Sequence, residues 1–545
     1  MKALLRRILA AFKVSSDSAA QGSASRRYPV IPTITAPATL PVSFVIVRFS
    51  DEYLHNFLKS ECAHDPLNEV IEIDNTSNLY FDNLSQAILA GLDRAHNDII
   101  VVVHEDVLLP QGWQPHFEQS LRQLEEHDPS WGVLGSVGWN EVGQFVGHWS
   151  DPHQFKNTFL DSPYKFQEVQ KLDEQLLIFH RQRIPRLDSN LPGIHFLGED
   201  LKQQLSRLGM KCYAVDAPTI HKYADKYGER IVSSRQSDKI GDRESVTYLA
   251  DEACCNDYLA WKYPHVFPGL KRDAGGVQPS ASGRLQVNRP IVFICKGEPE
   301  AAAARAIAQN SGIFAGEPSS DASESALMRM PIYKMIIEKY RCHAQWQKRN
   351  TADTLQILAA RVLGDLPLDA GWGIFVPESI LVLSELRSVF PEARYVYIQR
   401  DPFSTCMEEP HRTACLNNHL GRIALPEAYC ALGLERSRIL EGDPLDHMIC
   451  TTLHQLDLVR EHLACVAESE PLVLPFEECI NKPSSARERF SRWLGAVQPH
   501  GASAGMNLNA ALDAHLSIET CGYSEAQKLA AMERLHVIRR SLGYI

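Results

Sequence analysis

The sequence has no long apolar run, although 44% of its 545 residues are hydrophobic. A membrane-spanning helix needs about 18 consecutive apolar residues, so no span is predicted. Positive charge is not in excess either, because 55 Lys and Arg stand against 67 Asp and Glu, giving a formal net charge of -12. Nucleic-acid-binding domains usually present basic surfaces, so generic binding to DNA or RNA is not expected.

The 13 cysteines include no Cys-x-x-Cys pair. An odd number of cysteines, mostly scattered singly and often inside apolar stretches, fits no disulfide framework. Nor does their spacing match that of a structural zinc site. A reducing, cytoplasmic location is therefore predicted.

Changes in composition divide the chain into two predicted domains, in line with a usual domain size of about 100–200 residues. Residues 1–40 form an N-terminal helix and a linker rich in Ser, Ala, Gly and Pro. The first domain then covers residues 41–272, a linker with Gly-Gly, Pro-Ser and Ser-Gly covers 273–287, and the second domain covers 288–545.

The first 14 residues have the pattern of an amphipathic helix, with apolar residues on one face and most basic residues off it. Such a helix suits the surface of an anionic membrane. A frayed tail, or a helix docked on the body of the protein, explains the pattern equally well. Peripheral contact with the inner face of the membrane through residues 1–14 is therefore one of several open interpretations.

A run of five β-branched residues, Ile99 to Val103, predicts a strand that is buried on both faces. The strand ends in His104, Glu105 and Asp106. Since active sites of open α/β sheets lie at the carboxyl ends of their strands, these side chains suggest a metal or phosphate site. Acids that simply mark where a core strand reaches water are the alternative.

Two further segments have the same strand-then-polar pattern. A strand closes on Asp74 and Asn75, and a helix opens with Glu199 and Asp200 before a last strand that is followed by His221. Alternating strands and helices predict right-handed parallel crossovers and a doubly wound α/β sheet.

Together, the order of these motifs resembles the GT-A glycosyltransferases related to family 2, over roughly residues 41–230. The resemblance implies a Rossmann-like GT-A domain and a divalent cation, Mn²⁺ or Mg²⁺, that offsets the charge of a diphosphate leaving group. It implies these roles: metal ligands Asp106 and His221; catalytic acids Asp200, as the base, and Glu199; donor-binding residues Arg48, Asp74, Asn75, His104 and Glu105; acceptor-binding residues Trp139 and Asp173.

Simpler explanations exist for several of these residues. Acids in the first turn of a helix stabilise its dipole, which would account for Glu199 and Asp200. Large aromatic side chains mostly serve burial, which would account for Trp139.

The second half resembles the sulfotransferases that use the sulfate donor PAPS, over about residues 288–496. The likeness rests on a strand, loop and Ala-rich helix at the start, an Arg-Asp-Pro strand end, and a late strand ending in Phe-Glu. It implies a P-loop sulfotransferase-like α/β domain whose sulfate-donor site corresponds to Lys296, Gly297, Arg305 and Arg400.

That donor site is degenerate. Pro299 removes a backbone N–H donor from the loop, and Glu298 and Glu300 place negative charge where a phosphosulfate would bind. Glu408 occupies a position where the family has serine. The prediction is therefore a domain with a sulfotransferase-like fold in which sulfotransfer activity is not expected.

The sequence as a whole predicts a metal-dependent, inverting glycosyltransferase. It would transfer a sugar from a nucleotide-sugar donor to a glycan or lipid-linked acceptor, in the synthesis of cell-envelope polysaccharide. A bifunctional glycosyltransferase and sulfotransferase, and a non-catalytic scaffold, are the alternatives.

Overall fold

The computed structural model describes residues 37–49, 56–76, 79–150, 154–221, 243–266, 289–313, 323–341, 371–408, 410–416, 418–495 and 522–545. The chain divides into two compact units, an N-terminal unit (residues 1–236 and 251–272) and a C-terminal unit (residues 237–250 and 273–545). The domain boundaries drawn from the sequence stay predictions. The N-terminal helix and the 273–287 linker lie outside the described residues.

The first thirteen strands belong to the N-terminal unit. They are β1 (Val42–Arg48), β2 (Glu69–Asp74), β3 (Ile99–His104), β4 (Val107–Leu108), β5 (Val133–Gly135), β6 (Val137–Trp139), β7 (Phe145–Ser150), β8 (Phe155–Asn157), β9 (Phe166–Glu168), β10 (Lys171–Leu172), β11 (Leu176–His180), β12 (Cys212–Val215) and β13 (Thr219–His221). The first α-helices are α1 (Leu84–Leu92), α2 (Trp113–His127), α3 (Leu197–Arg207) and α4 (Arg243–Lys262), with short 3₁₀ segments at Glu61–His64 and Arg181–Arg183.

The main sheet of this unit has the strand order β2-β1-β3-β11-β5-β12-β9. Strands β1, β2 and β3 run parallel to one another, and β11 runs antiparallel beside β3. A second sheet has the order β10-β6-β7-β13-β4, with β8 added on β7. The carboxyl ends of β1, β2 and β3 therefore meet at one edge, as expected for an open α/β sheet.

The core of the N-terminal unit sits under β3, and Val101 and Val103 of this strand are almost fully buried. Helix α2 covers the same core cluster with Trp113 and Phe117, whose rings stack at 5.1 Å. The two aromatic residues are four positions apart and so share one face of the helix. Burying that face packs the helix against the core of the main sheet.

The C-terminal unit is built on one parallel four-stranded sheet. Its strands are β14 (Ile291–Ile294), β15 (Gly373–Ile374), β16 (Arg394–Gln399) and β17 (Leu472–Pro475), in the order β15-β14-β16-β17. Its helices are α5 (Glu298–Gln309), α6 (Ser323–Arg341), α7 (Leu383–Val389), α8 (Pro402–Cys406), α9 (His419–Ala431), α10 (Arg438–Glu441), α11 (Pro444–Cys465), α12 (Phe476–Asn481), α13 (Pro483–Leu494) and α14 (Glu525–Ser541), with 3₁₀ segments at Pro377–Val382, Arg412–Ala414 and Ala467–Ser469.

The predicted α/β class is confirmed for both units by these sheets and helices. In the C-terminal unit, Phe293 of β14 stacks on Phe375 at 4.4 Å and also contacts Phe490 of α13. Among the described residues, no helix combines the length and apolar character needed to cross a membrane.

Candidate active site

The polar ends of β1, β2 and β3 lie in register. Arg48 pairs with Asp74, and Val47 pairs with His104. Because parallel strands carry their carboxyl ends to the same edge, residues more than fifty positions apart in sequence face one region. This arrangement of the strand ends is the one that the predicted α/β fold requires.

His104, Asp106 and His221 come together just beyond that edge. Strand β13 pairs with β4 so that His221 lies opposite Val107, the residue after Asp106. His221 Nε2 is 3.4 Å from Asp106 Oδ2, and the His104 and His221 ring centroids are 6.2 Å apart. One ligand atom from each residue lies within 4.8 Å of the other two, and all three are partly exposed. The arrangement can bind a divalent cation that solvent or substrate also reaches.

The donor-side candidates at the ends of β1 and β2 bind one another. Arg48 Nη2 is 3.0 Å from Asp74 Oδ2, and Arg48 also forms an ion pair with Glu72. Asp74 keeps about half of its side chain exposed and accepts hydrogen bonds from the backbone N–H and hydroxyl of Thr76. Asp74 is thus ordered and remains accessible to a ligand.

Asn75 and Glu105 have a mainly structural environment. Asn75 is buried, and its Oδ1 accepts hydrogen bonds from the backbone N–H groups of Tyr80 and Phe81 at 3.2 and 3.0 Å. Glu105 is also buried, and its Oε2 accepts a hydrogen bond from Phe49 N at 2.7 Å. Both side chains order the loops around the donor edge, and their direct contact with a donor stays a prediction.

Glu199 lies beside a lysine that the sequence reasoning missed. Lys171 Nζ is 2.5 Å from Glu199 Oε1, whereas Glu199 Oε2 is buried without a hydrogen-bond partner among the described residues. Helix α3 starts very close to β10, because a Cβ on Gly198 would lie 2.2 Å from the carbonyl oxygen of Leu172. Only glycine allows this approach, which brings Glu199 next to the lysine.

Glu174 is a second carboxyl group near Lys171 and Glu199, and we call these three residues the acid cluster. Glu174 was not singled out from the sequence. Its Oε1 accepts a hydrogen bond from Gly198 N at 3.3 Å. Burial, together with the charges of Glu199 and Asp173, raises the pKa of Glu174 to about 8. Burial also raises the pKa of Glu199, although Lys171 opposes that shift. Carboxyl groups with pKa values raised toward neutrality are suited to proton transfer.

Asp200 has a different environment from its neighbour. Its side chain is fully buried, and its Oδ1 accepts hydrogen bonds from Lys262 Nζ at 2.5 Å and Tyr263 OH at 2.7 Å. Its Oδ2 accepts a hydrogen bond from Gln204 Nε2 at 2.7 Å. Asp200 as the catalytic base stays a prediction, but both of its oxygens are already engaged within the protein.

Aromatic side chains surround the lysine of the acid cluster. Trp139 is the strand partner of Lys171, whose Nζ lies 5.2 Å from the Trp139 ring centroid and 5.4 Å from that of Phe196. Phe196 has a φ of 65°, which is rare for a residue with a side chain, and strained residues often mark functional sites. Asp173, the other predicted acceptor residue, accepts a hydrogen bond from Gln175 N at 3.0 Å.

Gln175 connects the acid cluster to the candidate metal ligands. Its carbonyl oxygen accepts a hydrogen bond from His104 N at 3.0 Å, and its side chain bonds Thr219 Oγ1 at 3.4 Å, two residues before His221. Glu174 immediately precedes Gln175 in the chain. The acid cluster and the candidate metal ligands are therefore adjacent in space.

The C-terminal unit places its candidate anion-binding residues among acids. Arg400 Nη1 is 2.5 Å from Glu408 Oε1 and 3.6 Å from Glu300 Oε1, and all three side chains are buried. Glu300 belongs to the first turn of α5, next to Gly297 at the helix N-cap. The positive charge of Arg400 is thus already matched by carboxylates of the same unit.

The other two cations of that predicted donor site are Lys296, which is buried, and Arg305, which is partly exposed. Lys296 donates a long hydrogen bond to the carbonyl oxygen of Thr452 at 3.4 Å, and burial lowers the pKa of Lys296 to about 8. The Arg305 guanidinium lies 5.8 Å from the ring centroid of Phe375, and burial lowers its pKa as well.

Comparison with known proteins leaves the family open. No protein-family model matches the chain. A curated protein of Fuscovulum blasticum described as "ATP synthase subunits region ORF 6" is 30% identical over 185 residues, which are 33% of this chain and 64% of that protein. The chain thus spans less than two thirds of the length of the curated relative it matches.

Two solved structures illustrate the structural matches. Sulfotransferase STF9 from Mycobacterium avium has a TM-score of 0.31 and 12% identity, covering 59% of this chain and 93% of that one. The mannosyltransferase PcManGT from Pyrobaculum calidifontis, solved with GDP-Man and Mn²⁺, has a TM-score of 0.24 and 15% identity, covering 65% of this chain and 93% of that one. At these scores, neither match assigns a function.

Proposed function

We propose that the N-terminal unit is a metal-dependent glycosyltransferase that moves a sugar from a nucleotide-sugar donor to a hydroxyl of a glycan or lipid-linked acceptor. The observation that carries the proposal is the convergence of His104, Asp106 and His221 at the carboxyl edge of the parallel strands. One carboxylate and two imidazoles suit Mn²⁺, and Mg²⁺ remains an option through the carboxylate.

Each side of the site has a task in this proposal. Asp106 and His221 hold the cation with His104, and the cation when bound offsets the charge of the diphosphate leaving group. Asp74, half exposed beside Arg48, accepts hydrogen bonds from the nucleoside. Arg48 fixes Asp74 through their ion pair and so orients it toward the donor.

On the acceptor side, Glu199 takes the proton from the attacking hydroxyl. Its unpartnered Oε2 can accept that proton, and its raised pKa makes it a stronger base than an ordinary carboxylate. The Trp139 ring offers a flat surface for a sugar, and Lys171 donates to acceptor oxygens beside it. Removal of the proton by one base and attack from the acceptor side are the features of an inverting transfer.

The C-terminal unit enters the proposal as a module without sulfotransfer activity. The Arg400 guanidinium is neutralised by Glu300 and Glu408, so an anionic sulfate donor would meet carboxylates before it reached the cation. A bifunctional enzyme would need those carboxylates to leave the site.

A donor screen tests the proposal. Nucleotide sugars are added to the full chain with and without Mn²⁺, and the melting temperature is followed, since a ligand that binds only the folded state raises it. We expect one nucleotide class to raise the melting temperature only with the metal. Asp106→Asn and His221→Gln should abolish that shift, while the surface control Asp93→Asn should keep it. Donor binding that ignores both Mn²⁺ and Asp106 would remove the basis of the proposal.

A further inference from the structure

A second cluster of metal-ligating side chains lies in the N-terminal unit, apart from the candidate active site. It consists of His116 on α2, His148 on β7 and Asp216 directly after β12. All three side chains are at least nine-tenths buried. The cluster therefore joins a helix of the main core with strands of both sheets.

The three side chains face one another closely. His148 Nδ1 is 2.7 Å from Asp216 Oδ1, and His116 Nε2 is 3.2 Å from Asp216 Oδ2. One ligand atom from each residue lies within 4.8 Å of the other two. The other ring nitrogen of His116, Nδ1, is buried without a hydrogen-bond partner among the described residues. Both imidazoles thus contact the one buried carboxylate at short range, which places three ligand groups where a single cation could join them.

We propose that His116, His148 and Asp216 bind a structural Zn²⁺ ion. Two imidazoles and one carboxylate are the protein ligands of four-coordinate zinc sites whose fourth ligand is a water molecule. Their deep burial distinguishes them from His104, Asp106 and His221, which are open to solvent and substrate. The ion would tie α2, β7 and the segment after β12 together and stabilise the fold rather than take part in sugar transfer.

Two neighbours of the cluster respond to the ion. Asn157 Nδ2 is 3.3 Å from His148 Nε2, and zinc on Nδ1 leaves the ring proton on Nε2. The Asn157 amide would have to give up the hydrogen bond that Phe159 N donates to its Oδ1 at 2.9 Å in order to present this oxygen to that proton, as second-shell partners of zinc-bound histidines do. Lys165 Nζ is 4.0 Å from Asp216 Oδ2 and already donates to the carbonyl oxygen of Phe159 at 2.7 Å, so it moves little when the carboxylate binds zinc.

Metal analysis of the full chain, produced without a polyhistidine tag, tests this proposal. We expect about one equivalent of tightly held Zn²⁺ that survives dialysis against a weak chelator. His116→Gln and His148→Gln should each weaken zinc binding by at least about 100-fold, because even second-shell changes cost 10–100-fold. The exposed control His265→Gln should bind zinc like the natural chain.

A second variant keeps the test decisive if the buried variants do not fold. The double change His104→Gln with His221→Gln removes the exposed cluster and leaves the buried one intact. It should still bind one equivalent of Co²⁺ with the strong visible absorption of a four-coordinate ion, and added Zn²⁺ should raise its melting temperature after metal removal. Loss of all tight metal binding in this variant, or a Zn²⁺-free natural chain whose melting temperature ignores added zinc, would overturn the proposal.

Discussion

The contrast between Glu199 and Asp200 gives the sharpest test of the candidate active site. The two acids are neighbours at the start of α3, and each can be replaced by its amide with almost no change in shape. Glu199→Gln removes the proposed base, so turnover should fall by about 10²–10⁴-fold, the usual contribution of general base catalysis. Its melting temperature should stay close to that of the natural chain, because the amide also relieves the crowding of acids around Glu174.

Asp200→Asn should have the opposite profile. The buried carboxylate loses charge-assisted hydrogen bonds from Lys262 and Tyr263, and the new amide N–H₂ meets the donor group of Gln204. Hydrogen bonds to charged groups contribute about 1.5–3 kcal/mol each, while weaker neutral bonds remain to the amide oxygen. A net cost of about 2–4 kcal/mol would lower the melting temperature by roughly 4–16 °C for a unit of this size.

The assay measures nucleoside diphosphate release from the donor that the thermal screen selects, below the melting temperature of each variant. Glu126→Gln, an exposed change on α2, is the matched control and should change neither the turnover nor the melting temperature. If Asp200→Asn melted like the natural chain but lost turnover, while Glu199→Gln kept it, the base would be Asp200 and the reasoning from hydrogen bonds would be refuted.

Three further predictions concern charge and packing. Burial raises the pKa of Glu174 in the folded state to about 8, above the ordinary 4.5, so the free energy of unfolding should fall as the pH rises from about 5 to 8. In urea unfolding, Glu174→Gln should show a weaker pH dependence, and an unchanged dependence would show that other groups cause it. Adenosine 3′,5′-bisphosphate should show no binding to the natural chain by calorimetry, whereas Glu300→Gln with Glu408→Gln should gain it; tight binding to the natural chain would contradict the charge argument. Leu535→Ala should cost about 2–5 kcal/mol in thermal unfolding, since Leu535 is fully buried in the core that holds α14; a cost below about 1 kcal/mol would mean that α14 is not docked.

The strand endings could be read from the sequence because they depend on local pattern. The β-branched run before His104 predicts a buried strand, and parallel strands must bring Asp74 and His104 to one edge. The pairing of β13 with β4, which puts His221 beside Asp106, was anticipated only through the order of the motifs. Local pattern thus pointed to His104 and Asp106, motif order added His221, and neither gave the distances between them.

The different environments of Glu199 and Asp200 could not be predicted in this way. Asp200 is occupied by Lys262 and Tyr263, which lie about sixty positions away in sequence and come near it only in the folded unit. Lys171 and Glu174 were missed for the same reason, although both belong to a short polar stretch around the predicted Asp173. The grouping of Lys171, Asp173 and Glu174 within four residues was the available signal.

The buried acids of the two units differ in the direction of their pKa shifts. In the N-terminal unit, burial raises the pKa values of Glu174 and Glu199, the charges of neighbouring acids add to both shifts, and Lys171 opposes the shift of Glu199. Acids with raised pKa values can accept a proton, a property that is common at acid–base sites. In the C-terminal unit, Arg400 also faces two acids, Glu408 at 2.5 Å and Glu300 at 3.6 Å. There, a hydrogen bond with His411 and the charge of Arg400 lower the pKa of Glu408 although the side chain is buried. Two carboxylates beside one arginine repel an anionic donor, and we therefore propose sugar transfer rather than sulfate transfer.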